Sequence, residues 1–241
     1  MTAACVPKNL ILTGGWAHDF ASSSLVLADV LAPIATSTIV DDMDDAACQL
    51  DSGRFDVLTV YACWFTMTDA RYNDEQRAQW ARTTPGSFRE AVAHHLGAGR
   101  GLCVLHTGLL CFTDWEEWPE LVGGDWTWGR SWHPAPAPMR ADRRPGAVHH
   151  PVVDGMDRIE VFDERYCEID ARPDSNVLMS SNGPEGEFPT VWVRDGGGGR
   201  RAYSSLGHDR VSLTEPTHAR LIRRLLAWVG GGDAATVSRL A

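Results

Sequence analysis

The stretch GLCVLHTG, residues 101–108, decides how the chain is read. Gly101 to Leu105 carry no charge, as a strand buried on both faces requires. His106, Thr107 and Gly108 follow at once, so the strand hands a histidine to a tight turn. A strand-to-turn residue with glycine two positions later fits the geometry of a nucleophile elbow. Such an elbow sits at the carboxyl end of a strand, and that is where open parallel sheets bind their ligands.

The flanking segments support a parallel sheet. Residues 9–13 (NLILT) read as a short buried strand closed by Gly14-Gly15. Phe20, Leu27, Val30 and Leu31 then recur near helical spacing until Pro33. Residues 36–40 and 56–62 read as strands with a short helix between them. The helix before residue 101 opens with Ser87 three positions ahead of Glu90, a capping box, and ends at Gly97. Its core face is Phe88, Val92 and Leu96. This alternation implies a parallel sheet with helices on both faces.

After about residue 125 strands follow one another: part of 133–140, then 158–169 and 176–181. FPTVWVRD and RRAYSSL, on either side of Gly196–Gly199, read as a hairpin. A closing helix has Pro216 near its first turn, Leu221, Ile222, Leu225 and Trp228 on one face, and Gly230 after it. Residues 1–230 are read as a single domain, without internal repeat or linker, and 231–241 as a frayed tail.

The 241 residues can bury one sizeable core. An apolar fraction of 44% and a charged fraction of 22% are ordinary for a soluble globular protein. A net charge of −10 argues against nucleic acid or an anionic membrane as partner, since binding phosphates needs a basic face. No basic n-region precedes an apolar stretch at the N-terminus, and no apolar run approaches the roughly 20 residues of a membrane span. The six cysteines (Cys5, Cys48, Cys63, Cys103, Cys111 and Cys167) show no C-x-x-C, as expected for reduced thiols in a cytoplasmic protein.

The carboxyl-end rule groups residues that are distant in sequence. The first strand leads into Gly14-Gly15-Trp16-Ala17-His18-Asp19, the third into Cys63-Trp64, the fourth into His106, and the last into Gly207-His208-Asp209. His18, His106 and His208 are therefore expected at one rim. His18 or Asp19 also suits a helix cap, and Asp209 either orients an imidazole or caps a turn. Cys103 competes with His106 as nucleophile, because Gly101-Leu102-Cys103 superficially resembles the G-x-C of glutamine-hydrolysing enzymes. Leu105, however, stands where that turn needs a small residue, so Cys103 reads as a small buried hydrophobe within the strand.

DERY, residues 163–166, extends an alternating strand that would put Phe162, Glu164 and Tyr166 on one face. Glu164 and Tyr166 then make an acid/base and hydrogen-bonding pair for a hydroxylated ligand. WTWGRSWHP, residues 126–134, offers Trp128, Trp132 and His133 as a surface for a sugar ring. His149-His150 reads as structural, and His94 and His95 as helix residues rather than ligands. There is no P-loop, no dinucleotide fingerprint, no H-E-x-x-H and no G-x-S-x-G. Imidazole and carboxylate suit zinc or another divalent metal, for which His18, His106, His208 and Glu164 are the candidates; their spacing supplies no metal signature.

Together GGWAHDF, GLCVLHTG, WPELVGGDW, HHPVVDGM, DERY, FPTVWVRD and SSLGHD, in that order, resemble the ThuA-like trehalose-utilisation family, over about residues 9–230. The resemblance implies a flavodoxin-like three-layer α/β sandwich, related to class I glutamine amidotransferases, with a mostly parallel sheet and an added β-rich portion. It implies that His106 replaces the amidotransferase cysteine at the elbow. It also implies a small-molecule sugar partner, a disaccharide or a 3-keto-glycoside. On that substrate His106, Glu164, His208 and His18 would carry acid–base chemistry. Trp16, Trp64, Trp132, His133, Tyr166 and Asp209 would bind it. The alternatives are a non-catalytic sugar-binding or regulatory protein and a hydrolase using Cys103. A homo-oligomer is left open.

Overall fold

A computed structural model describes residues 6–241. Cys5, one of the six cysteines, lies outside the described residues; Cys48, Cys63, Cys103, Cys111 and Cys167 are all free thiols.

The first half alternates as its periodicity predicts. β1 (Lys8–Gly15), α1 (Phe20–Leu31), β2 (Thr36–Val40), α2 (Met43–Asp51) and β3 (Val57–Cys63) lead through α3 (Asp74–Trp80) and α4 (Gly86–Gly97) to β4 (Gly101–Leu105). A one-turn 3₁₀ helix, His106–Leu110, follows β4 directly. α5 (Trp118–Val122) and β5 (Gly124–Asp125) lead into β6 (Ala137–Arg143), β7 (Arg158–Asp163), β8 (Asp170–Ala171), β9 (Asn176–Gly183), β10 (Gly186–Arg194) and β11 (Arg201–Ser204). α6 (Arg210–Thr214), α7 (Pro216–Val229) and α8 (Ala234–Ser238) close the chain.

One nine-stranded sheet runs β2-β1-β3-β4-β11-β10-β9-β6-β7. Its first five strands are parallel and have the 2-1-3-4-5 order of flavodoxin, with β11 as the fifth. The added β-rich portion continues the same sheet with antiparallel neighbours. The fold is thus a flavodoxin-like three-layer α/β sandwich. Period-two alternation fills both faces. Ile11, Tyr61 and Leu105 pack with Leu27 of α1 and Leu225 of α7; Leu12, Val60 and Val104 pack with Leu50 of α2 and Phe88 of α4. Burial on both sides is why β4 is apolar throughout and why the one buried threonine hydroxyl of β3, on Thr59, is bonded to Asn9 at 2.7 Å.

Three expectations need correction. The Ser87–Glu90 capping box does not form: α4 starts one residue earlier, after Pro85, and the Ser87 hydroxyl donates to Asp44 on the neighbouring α2. The box that does form is Asn73–Gln76, on α3. Strand β7 stops at Asp163, so DERY does not alternate; Phe162 is 47% exposed while Asp163, Glu164, Arg165 and Tyr166 are all buried. Nor is the tail frayed. Val237 of α8 is fully buried, and the Arg224 guanidinium donates to the carbonyls of Ser238 and Leu240. No helix among the described residues is long and apolar enough to cross a membrane.

Candidate active site

The turn after β4 puts His106 in the left-handed region at φ 50°, which costs a non-glycine residue about 1–3 kcal/mol unless its surroundings over-determine it. They do. The His106 ring meets the Ser205 carbonyl through Nδ1 at 2.7 Å. Its own carbonyl accepts from the Tyr203 hydroxyl at 3.1 Å. The Thr107 hydroxyl donates to the Ala62 carbonyl at 2.8 Å, and Trp118 Nε1 to the Gly108 carbonyl at 3.0 Å. A side chain at Gly108 would meet Val104 Cγ1 at 2.7 Å and the Val60 carbonyl at 2.8 Å. The turn therefore packs against β3 only because this residue has no Cβ.

The loop after β1 bends at Gly14 and Gly15 (φ 100° and 109°). A Cβ on Gly15 would lie 2.2 Å from the Cys63 carbonyl, and Trp16 N–H bonds that same carbonyl at 3.0 Å. This close approach brings His18 over the end of β3 and beside His106. Asp19, not His18, caps α1, accepting from Ser22 N–H. The His18 imidazole is thereby left for the site.

The two remaining members are positioned by one buried carboxylate, Asp163, at the end of β7. It accepts from Glu164 N–H at 2.7 Å, Gly207 N–H at 2.8 Å and His208 N–H at 3.3 Å, and from the Ser212 hydroxyl. Glu164 and His208, 44 residues apart, are thus hung from a single side chain.

The result is one cluster. The His18 ring stands 5.0 Å from His106 and 4.9 Å from His208, edge to face. Glu164 Oε2 lies 3.4 Å from His106 Nε2; Glu164 Oε1 lies 3.3 Å from His208 Nδ1 and 3.4 Å from His133 Nδ1. One ligand-capable atom from each of His18, His106, Glu164 and His208 falls within 4.8 Å of all the others. Burial and then the neighbouring His106 and His208 push the His18 pKa down to about 3, so its ring is neutral. Burial alone would raise the Glu164 carboxyl, but His106 and His208 outweigh it and hold it well below the usual carboxylate range. Contact with Glu164 raises His208, against burial.

The remaining candidates divide. Tyr166 is buried, its ring 4.9 Å from His106 and stacked on His133 at 5.6 Å, with its hydroxyl unpartnered. Trp126 backs this pair, 4.9 Å from Tyr166. Trp64 donates through Nε1 to the Thr13 carbonyl and faces a cleft of about 800 Å³ that His18 also lines, with Asp41, Trp80 and Arg82. Trp16 packs on Tyr72 and Trp80 beside it. Trp128 packs on Phe65 with Arg71 over its ring, and Phe65 links it through Tyr72 to Trp16. Trp132 bridges its backbone to Cys167 and turns a 40% exposed residue to solvent, away from the histidines' ring contacts. The Asp209 carboxylate caps α6, accepting from Ser212 N–H at 2.9 Å. Cys103 sits inside β4, fully buried, its thiol pushed up to about 12 by burial. Sequence reasoning missed Asp163, Trp80 and Arg82. Of these only Asp163 carried a signal, as the first letter of DERY.

Fold and site together define a flavodoxin-like α/β protein with a histidine–glutamate centre at the carboxyl edge of its parallel strands, where that class binds ligands. Residues 8–229 match the family model ThuA, described as trehalose utilisation; the chain belongs to that family. A putative ThuA-like protein from Parabacteroides merdae has a similar structure, at 18% identity and TM-score 0.74, covering 94% of this chain and 91% of its own. A second, from Bacteroides uniformis, is 17% identical at TM-score 0.69, covering 97% and 98%. A β-galactosidase from Halorubrum lacusprofundi shares the fold over 94% of this chain and 31% of its own, at 12% identity and TM-score 0.54. At these identities the likeness is one of fold. No curated protein sequence matches the chain.

Proposed function

We propose that the protein is a carbohydrate-metabolism enzyme acting on a disaccharide or 3-keto-glycoside by histidine/glutamate acid–base chemistry. The observation that carries this reading is the convergence of three imidazoles and one carboxylate, drawn from four separate strand ends, on a half-open rim. Membership of a family described as trehalose utilisation supports a sugar as the substrate. The aromatic and charged lining of the cleft beside His18 suits one, since ring faces pack on indoles and hydroxyls bond to polar rims.

A carbonyl at C3 of a sugar acidifies the C2–H bond. Glu164, backed by the buried His106, accepts that proton, and His208, on the solvent side of the cluster, polarises the carbonyl oxygen. The electron pair from C2–H then has two outlets. Reprotonation at the neighbouring carbon isomerises the ketose. Expulsion of the C1 substituent forms the C1–C2 double bond, and an imidazole returns the proton to the departing oxygen. Trp64, which lines the cleft beside His18, packs on the ring. His18, kept neutral by burial and by its two imidazole neighbours, leaves one ring free as a base at neutral pH.

The test is incubation with a panel of free disaccharides and 3-keto-glucosides, read by mass spectrometry. The reading expects a new product mass, or a released sugar, from the keto compounds. An unchanged panel in the presence of measurable sugar binding would instead establish a non-catalytic binding protein on the same scaffold.

A further inference from the structure

We infer that His18, His106, His208 and Glu164 form the site of a divalent transition-metal cation of the zinc, iron, cobalt or manganese class. The argument starts from a carbonyl. The Ser205 oxygen can only accept, so the His106 nitrogen 2.7 Å from it, Nδ1, carries the ring proton. In the neutral ring Nε2 is then a bare lone pair. It points at Glu164 Oε2, 3.4 Å away, and both atoms are buried without a hydrogen-bond partner. His208 Nδ1, 3.3 Å from the other carboxylate oxygen, is also buried and unpartnered. Lone pairs facing one another in a water-poor site repel unless a cation lies between them.

The spacing fits such a cation. Ligands held about 2.1 Å from a metal in a tetrahedron stand about 3.4 Å from each other, which is the His106–Glu164 and His208–Glu164 separation. A backbone carbonyl fixing the tautomer of a ligating histidine is the usual second partner of such a ring. Three imidazoles and one carboxylate favour a first-row transition ion over magnesium or calcium, which prefer oxygen. His133, beyond the four but 3.4 Å from Glu164, keeps an imidazole outside the coordination sphere. A cation held by these four residues would supply Lewis-acid chemistry at a carbonyl oxygen, and His133, outside them, would stay free to move a proton.

This assignment does not depend on the substrate: a chain that binds a cation but leaves every sugar unchanged refutes only the reading above. The experiment uses the full chain, stripped by dialysis against a chelator and titrated with Co²⁺ alone. Uptake is followed by visible absorption and by elemental analysis after gel filtration, with Zn²⁺ as competitor. Expected are one ion per chain, d–d bands that Zn²⁺ bleaches and Mg²⁺ does not, and a higher thermal midpoint with metal. His18→Ala and His208→Ala remove ligands that reach the surface. Each should weaken Co²⁺ binding by about 100-fold or more, since loss of a second-shell partner alone costs about 10–100-fold. Uptake well below one equivalent by folded wild-type protein overturns the assignment, and so does unchanged uptake in both variants. The first result would mean that the cluster is bridged by a proton.

Discussion

His106 combines a backbone strain with a committed side chain, and neither would persist alone. Its φ of 50° is held by the turn's own hydrogen bonds, and its ring is aimed by Ser205. At the equivalent point of a hydrolase a nucleophile would stand, and the neighbouring thiol of Cys103 is no substitute. It is wholly buried, with its pKa near 12 because of that burial, and so is neither ionised nor reachable. Cys103→Ala is therefore expected to leave turnover unchanged and to cost about 1 kcal/mol of stability, the order of one buried small group; kinetic assay before and after thiol alkylation, with urea unfolding, checks both. His106 was legible because it directly follows an apolar strand, and His18 and His208 because each lies within four residues of a strand's carboxyl end. Glu164 was legible for the wrong reason. Alternation put it beside Tyr166, whereas the strand has ended and the Asp163 carboxylate re-aims the backbone. Asp209 looked like the partner of His208, yet an aspartate immediately before a helix has the N-cap as its nearest task.

Among the elements, the two that carry the site are the turn after β4 and the loop between β11 and α6. Each depends on one residue that touches no ligand. Gly108→Ala would drive a methyl into Val104 and the Val60 carbonyl. Overpacking of this kind costs about 1–3 kcal/mol, so urea unfolding should show that loss together with reduced activity. A wild-type midpoint in the variant would mean that the turn has slack the packing does not show. Asp163→Asn replaces one acceptor oxygen by a donor facing the Ser212 hydroxyl and the N–H groups of Gly207 and His208. Leaving such buried donors unsatisfied costs about 1–3 kcal/mol. The variant should keep its far-ultraviolet dichroism, unfold at lower urea and lose turnover, because the His208 loop is no longer tied to Glu164. Retained turnover in this variant would separate Asp163 from the site. The elements themselves were largely readable up to β4, where helices and strands alternate with clean caps and apolar runs. α3 and α8 were not. α3 buries none of its residues, so no apolar stripe announces it. α8 is short and anchored by the Arg224 guanidinium of the preceding helix, a contact that apolar periodicity does not encode.

For the whole molecule, the parallel half follows from alternation and hydrophobic periodicity. The position of β11 does not. β11 lies next to β4 and is separated from it by nearly a hundred residues that include all the antiparallel strands, and no local signal says which strand closes the five-stranded parallel set. That pairing brings His208 to the rim, so the site as a unit could be expected only through the carboxyl-end rule. The same packing buries histidines that take no part in the site. Burial and then Arg200 push His150 down to about 4, and burial also lowers His95. In the unfolded chain both take up a proton near pH 6.5, at about the ordinary histidine value. Between about pH 6.5 and 4 the unfolded state therefore binds protons that the native state refuses, and stability should fall as pH falls through that window. Urea midpoints across it, for wild type and His150→Gln, should show a shallower fall in the variant; parallel curves would mean that His150 does not contribute. The central claim is that the rim cluster moves a proton at carbon. Its most direct measurement is mass and NMR analysis of a 3-keto-glucoside incubated in D₂O. The account predicts enzyme-dependent loss of the C2 hydrogen: deuterium at C2, deuterium at C3 of an isomerised ketose, or an elimination product that lacks the C2 hydrogen. In Glu164→Gln the rate should drop by about 100-fold or more, the usual worth of a positioned acid–base group. Wild-type protein that binds the keto sugar and keeps its C2 hydrogen in place, as in the blank, would contradict it.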